Sequence, residues 1–120
     1  MSGKYILVVE DEFLVALDME TILADAGFEV LGPVASVVEA LRLIGAQRPN
    51  AALLDNNLNG QSVGPVAVAL NDRNVPFAFV TGNDRDSLPP GFNDSPMVRK
   101  PFNPNGLITM ARTLLDEAGV

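Results

Sequence analysis

The chain has 120 residues, 48% of them apolar, with 8 basic and 15 acidic side chains, which predicts one domain over residues 1–120 with a core of its own. Having neither Cys nor His, it excludes disulfides, thiol chemistry, most zinc sites and imidazole catalysis, and leaves carboxylates, hydroxyls, amides, Lys and Arg for any chemistry. The net charge of −7 speaks against nucleic acid and anionic membrane surfaces as partners.

The opening Met1-Ser2-Gly3-Lys4 runs directly into Tyr5-Ile6-Leu7-Val8-Val9 and then into acids, which is no secretory signal. No apolar run nears the roughly 20 residues of a membrane span, so a soluble cytoplasmic protein is expected. Tyr5–Val9 is short, β-branched and without polar alternation, the pattern of a strand buried on both faces. Val15, Met19, Ile22 and Ala26 then recur at helical spacing, and Gly27 follows as a helix stop. Phe28–Val34 is a second strand, and its Gly32-Pro33 suits the sheet edge. Ser36 and Glu39 form a capping-box pair ahead of a helix carrying Val37, Leu41 and Ile44. Ala51–Leu54 is a third strand stopped by Asp55, with a polar loop from Asn56 to Gly60. A helix with Val63, Val66, Ala67 and Leu70 leads to a fourth strand, Phe77–Val80, ended by Thr81-Gly82. From Asn83 to Ser95 the rhythm breaks at Pro89-Pro90-Gly91, so any helix there is short. Met97-Val98 is a brief fifth strand ended by Arg99-Lys100-Pro101, and a last helix from about Pro104 carries Leu107, Ala111, Leu114 and Ala118. Strand and helix alternate five times, which predicts an α/β fold with a parallel sheet covered on both faces.

In a parallel sheet all strand C-termini line one edge, where open α/β sheets bind ligands. That edge collects Glu10 and Asp11 after the first strand, Asp55 after the third, Thr81 after the fourth and Lys100 after the fifth. Each has an ordinary structural explanation on its own: acids after a strand cap helices, Asp and Thr end strands, and Lys is solvated. Four successive strand ends carrying chemistry-bearing residues make a site. Clustered carboxylates need a cation among them, and an all-oxygen set fits Mg²⁺. A carboxylate can also attack phosphorus to form an aspartyl phosphate. A transferred phosphoryl group spreads charge over three oxygens, which calls for a metal, a cation and a hydrogen-bond donor. Glu10 and Asp11 can supply the metal, Lys100 the cation and Thr81 the donor. Asp55 is the candidate nucleophile because the loop after it leaves room.

The pieces "ILVVEDE", "ALLDNNLNG", "FVTG" and "VRKPF" resemble, in order and spacing, the receiver domain of a two-component response regulator, from Tyr5 to about Ala118. The resemblance implies a flavodoxin-like (βα)5 doubly wound sandwich with strand order 2-1-3-4-5, its fourth helix short or irregular here. It further implies Asp55 as phosphoacceptor, with Mg²⁺ held by Asp11 and Asp55, by Glu10 through water, and by the backbone carbonyl of Asn57. Thr81 and Lys100 would bind the phosphoryl oxygens, Gly82 would leave space for the donor, and the Lys100–Pro101 bond would be cis. The donor would be a histidine kinase or a histidine phosphotransfer protein.

Three positions depart from the family pattern. Met97 stands where receivers carry the aromatic that swings inward when Thr81 moves, Asn59 stands where a proline is usual, and Pro89-Pro90-Gly91 interrupts the fourth helix. "PFAFVTG" with "NLNG" resembles an atypical single-domain group, found mainly in alphaproteobacteria, with a Phe-Ala-Thr-Gly-type motif and no switch aromatic; Val80 replaces the motif's alanine. A stand-alone receiver is thus expected, no enzyme beyond its own phosphorylation and dephosphorylation, signalling to an output protein by phosphorylation-dependent contacts and ordering Asn83–Ser95 as it does so. A phosphate sink or relay without dedicated target is the alternative. A Mg²⁺-dependent aspartyl-phosphate phosphatase is disfavoured by Asn57, where such enzymes add a second Asp. In a flavin-binding protein Glu10-Asp11-Glu12 would repel the cofactor phosphate.

Overall fold

A computed structural model describes residues 4–119. Five parallel strands form the main sheet: β1 (Tyr5–Val9), β2 (Glu29–Val34), β3 (Ala51–Asp55), β6 (Phe77–Thr81) and β7 (Met97–Arg99), in the spatial order β2-β1-β3-β6-β7. The helices are α1 (Phe13–Asp25), α2 (Val37–Ala46), α3 (Gly64–Asp72) and α4 (Pro104–Glu117). This is the predicted α/β architecture and strand order. Two extra two-residue strands, β4 (Asn57–Leu58) and β5 (Gln61–Ser62), pair antiparallel within the loop after β3, a stretch whose composition predicted loop alone.

The unbroken apolar runs of the central strands follow from burial on both faces, since successive side chains point to opposite sides. Leu7, Val9, Ala52, Leu54, Phe77 and Phe79 pack on one side with Val37, Ala40 and Ile44 of α2 and Val66, Ala67 and Leu70 of α3. Ile6, Val8, Leu53, Ala78 and Val80 pack on the other with Met19, Ile22 and Leu23 of α1 and Leu107, Ala111 and Leu114 of α4. The α2 start is capped as read from Ser36 and Glu39: the Ser36 hydroxyl accepts from the Glu39 backbone N–H and donates to its carboxylate, both at 3.2 Å. The buried face of α1 is wider than expected: Ala16 and Leu23 are buried with Met19 and Ile22, while Val15 and Ala26 pack half-buried against the same core.

The edge placement of β2 is also as read. Its pairing with β1 shifts register after Leu7, where Gly32 sits at φ 90° and the Gly32–Pro33 bond is cis. A Cβ at Gly32 would meet Val34 N at 2.7 Å and Val8 O at 3.0 Å, so only glycine fits this turn of the edge strand.

Among the described residues no α-helix joins β6 to β7; a single 3-10 turn, Arg85–Ser87, stands in that stretch. Pro89 and Pro90 lack the N–H groups a helix needs there. The core that a helix would cover is closed instead by Leu88, which is buried, and by Phe92, whose ring lies 5.7 Å from that of Phe77 and 6.3 Å from that of Phe79. Among the described residues no helix is long and apolar enough to cross a membrane.

Candidate functional site

The parallel register brings the predicted residues to one edge. Asp55 ends β3 opposite Val80, Thr81 closes β6, and Thr81 pairs with Arg99 just before Lys100. Beyond the strands the ladder continues, with Glu10 N–H donating to Val34 O and Lys100 N–H to Thr81 O, each at 2.9 Å. These main-chain bonds fix the bases of Glu10 and Lys100, so their side chains meet above the sheet end. The Lys100–Pro101 bond is cis, as the resemblance implied.

One carboxylate oxygen from each of Glu10, Asp11 and Asp55 lies within 4.8 Å of the others. Lys100 Nζ lies 2.8 Å from Glu10 Oε1 and 3.7 Å from Asp55 Oδ1. The Glu10 side chain is fully buried. Its Oε1 accepts no well-angled hydrogen bond and is compensated by the ammonium alone, while its Oε2 accepts from the Glu12 backbone N–H at 3.1 Å. Glu10 therefore serves the start of α1 as well as the site, whereas Glu12, at the N-cap, makes no side-chain cap. Asp11 Oδ2 accepts from the Asn59 backbone N–H at 2.9 Å, which draws the loop after Asp55 over the acidic cluster. Asn57 keeps that loop tight by accepting from Gly60 N–H at 2.6 Å through its side chain. Thr81 is buried, and its Oγ1 accepts from Asn83 N–H at 3.1 Å.

Three carboxylates face one ammonium, and the imbalance appears as displaced proton affinities. Burial, hydrogen bonding with Asp11 and the charge of Glu10 push the Asp55 carboxyl up to about 7, with Lys100 opposing. Burial also pushes Asp11 upward, but hydrogen bonds from Asp55 and from the Asn59 backbone outweigh it and hold Asp11 below the usual range. Lys100 pays for desolvation and still ends above the ordinary lysine value, because Glu10 and Asp55 stabilise its charge. Such a cluster, all oxygen donors with charge in excess, fits a hard divalent cation bound by carboxylates.

One residue of the neighbourhood carries no signal in sequence spacing. Asn56, directly after Asp55, is buried, and its side-chain amide donates to the Ser87 carbonyl at 2.8 Å. Nothing in the periodicity separates Asn56 from the solvated Asn57 and Asn59 beside it; only the three-dimensional placement does.

The fold and the carboxylate–lysine edge are together those of a receiver domain. No family profile matches the chain. It is 31% identical over 121 residues to the aerobic respiration control protein ArcA of Escherichia coli, covering 96% of this chain and 50% of ArcA. It is 34% identical over 104 residues to the phyllosphere-induced regulator PhyR of Methylorubrum extorquens, covering 82% of this chain and 39% of PhyR. The chain thus spans half or less of the length of these curated relatives. Its similarity to SdrG of Sphingomonas melonis runs over 100% of both chains, at 38% identity and a TM-score of 0.81. SdrG in its BeF3-activated conformation matches at a TM-score of 0.80 over 95% of this chain and 98% of that one. The chain belongs to the response regulator receiver-domain family.

Proposed function

We propose that residues 1–120 act as a receiver domain that takes a phosphoryl group onto Asp55 from a phosphohistidine donor and signals through protein contacts. The observation that carries this reading is the meeting of Glu10, Asp11 and Asp55 within 4.8 Å, with Lys100 at 2.8 Å from Glu10 and 3.7 Å from Asp55. A carboxylate oxygen of Asp55 forms the new O–P bond as the donor's N–P bond breaks, and the electron pair stays with the imidazole nitrogen. Lys100 shifts from Glu10 to the phosphoryl oxygens, and the Thr81 hydroxyl supplies a hydrogen bond to them. Asp11 and Asp55, with Glu10 and the Asn57 backbone carbonyl, would hold Mg²⁺, which when bound offsets the charge on the phosphoryl oxygens. The only reaction assigned to the chain is its own phosphorylation and dephosphorylation, in the cytoplasm.

The donor is a histidine kinase or a histidine phosphotransfer protein, and the surface beside Lys100 supports a protein donor. A groove of about 710 Å³, lined by Leu14, Leu17, Pro101 and Phe102 among others, opens there. Leu14 and Leu17 in its lining are 75% and 45% exposed. A protein that brings a phosphoryl group to Asp55 covers these side chains as it docks.

The alternative of a phosphate sink or relay draws support from Met97. It lies opposite Phe79 in the sheet register and stands where the family carries its switching ring. A phosphorylation-dependent partner recovered by pull-down favours the signalling reading over the sink. The acceptor assignment is tested by Mg²⁺-dependent labelling with a small phosphodonor. Wild type is expected to label and Asp55→Asn to remain unlabelled; label persisting in the variant would overturn the assignment.

A further inference from the structure

Asn83–Pro96 has almost no regular structure, yet it is tied down at three places. At its entry, Asn83 N–H donates to Thr81 Oγ1 at 3.1 Å, and the exposed Asp84 carboxylate lies 3.5 Å from the Arg99 guanidinium of β7. In its middle, the Asn56 amide donates to Ser87 O at 2.8 Å and lies 3.3 Å from Ser87 Oγ, whose hydroxyl donates to Asp84 O at 2.6 Å and closes the turn. At its exit, the Arg85 guanidinium donates to the carbonyls of Asn93 at 3.2 Å and Ser95 at 2.7 Å, and the Asn93 amide donates back to Arg85 O at 3.1 Å. Leu88, just past the turn, is buried in the same core as Leu58 and Val63 of the loop that follows Asp55.

The middle anchor is the informative one. Asn56 is only 8% exposed, and a buried amide is costly unless its donors are used. It spends them across 31 positions of sequence on a surface turn. We infer that Asn56 is a positioning residue that couples the Arg85–Ser87 turn to the loop after Asp55, so that a change at Asp55 is displayed on the exposed surface of Asn83–Gly91. This rests on the reading of Asp55 as phosphoryl acceptor. When Thr81 turns its hydroxyl to a phosphoryl group, the Asn83 N–H loses its acceptor and the entry is left to the solvent-screened Asp84–Arg99 pair. The Asn56 anchor holds, being attached to the strand that carries Asp55, and the turn pivots about it. No aromatic ring is required, which accommodates Met97.

The test is amide hydrogen exchange by NMR on Asn56→Ala, Asn56→Leu and Arg85→Ala, each with and without BeF3 plus Mg²⁺. In the unliganded protein, both Asn56 variants are expected to exchange about fivefold to tenfold faster at Arg85–Leu88, the scale of one lost hydrogen bond. The leucine variant keeps a side chain of similar size, which separates the lost donor from a cavity. Both variants are expected to bind the phosphoryl mimic as wild type does while losing most of the mimic-induced change at Asp84–Phe92. Arg85→Ala is expected to loosen Asn93–Ser95 and to keep the mimic-induced change at Asp84–Leu88. Wild-type protection at Arg85–Leu88 in both Asn56 variants overturns the inference, as does a full mimic response in them, or an equal loss of response in Arg85→Ala. A wild type that takes up no mimic overturns the acceptor reading itself, while exchange in the unliganded proteins still decides the anchor.

Discussion

The Lys100 ammonium lies closer to Glu10 Oε1, at 2.8 Å, than to Asp55 Oδ1, at 3.7 Å. The lysine is thus held by a fully buried carboxylate whose Oε1 has no other compensation, with Asp55 as its second neighbour. Breaking such a pair strands a buried charge, and that penalty exceeds the net value of the pair. Lys100→Met in metal-free protein is expected to lose about 1–3 kcal/mol of stability, and Glu10→Gln together with Lys100→Met to regain most of it. Urea denaturation of both single variants and the double variant measures the coupling. Additive losses would mean that the two groups do not compensate each other.

Asp55 carries a pH signature. Its folded-state value of about 7 lies above the ordinary 3.8, so between those limits the folded state binds a proton that the unfolded chain has released. Its contribution to stability is therefore full below about pH 4, falls as pH rises, and is lost once pH passes about 7. In metal-free protein, the stability of wild type minus that of Asp55→Asn is expected to decline from pH 4 to 7 and to level off above. Mg²⁺ is expected to restore wild type above pH 7 and to do less for the variant. Denaturation at a series of pH values with EDTA or with Mg²⁺ checks this, and a difference that rises with pH would reverse the sign of the argument.

The groove beside Lys100 offers a way to tell protein donors from small ones under the proposed function. Leu14 and Leu17 are exposed on α1 and line it, yet neither belongs to the acidic cluster. Leu14→Gln with Leu17→Gln is expected to slow phosphotransfer from a protein donor by roughly tenfold, in line with truncating central apolar contacts of an interface. Labelling by a small phosphodonor is expected to stay within about twofold, since the truncated side chains touch no reacting group. Equal slowing with both donors would place the defect in the site and not at its rim.

Much of this was legible in the chain because strand burial is a sequence property. Runs such as Tyr5–Val9 and Ala51–Leu54 announce strands covered on both faces, and parallel topology then carries Glu10, Asp55, Thr81 and Lys100 to one edge. The break at Pro89, Pro90 and Gly91 announced that any helix after β6 is short or irregular, and a three-residue 3-10 turn is what stands there. The break did not reveal what replaces a regular helix. Loop structure is set by long-range hydrogen bonds such as Asn56–Ser87 and by single apolar plugs such as Leu88 and Phe92, and neither has a period to read. The same limit hid Asn59, whose backbone N–H, with no side-chain signature, reaches Asp11.

Two glycines set the requirements of the fold against those of the chemistry. Gly32 is needed by the backbone: its φ of 90° and a Cβ contact of 2.7 Å to Val34 N leave no room for a side chain. Gly32→Ala is expected to cost about 1–3 kcal/mol through strain and clash. Gly82 is different, since a Cβ there would meet only Lys100 Cβ and O, at 4.0 Å, an ordinary contact. It is exposed beside Thr81, on the rim that a phosphoryl donor would cross under the proposed function. Gly82→Val is expected to change stability by less than about 1 kcal/mol, while branched carbons on the rim lower the rate of labelling at Asp55 by about tenfold through misplaced approach. Thermal melts and small-donor labelling of both variants check the pair. A Gly82→Val protein that labels at the wild-type rate would show that the opening above Asp55 is wider than donor approach requires.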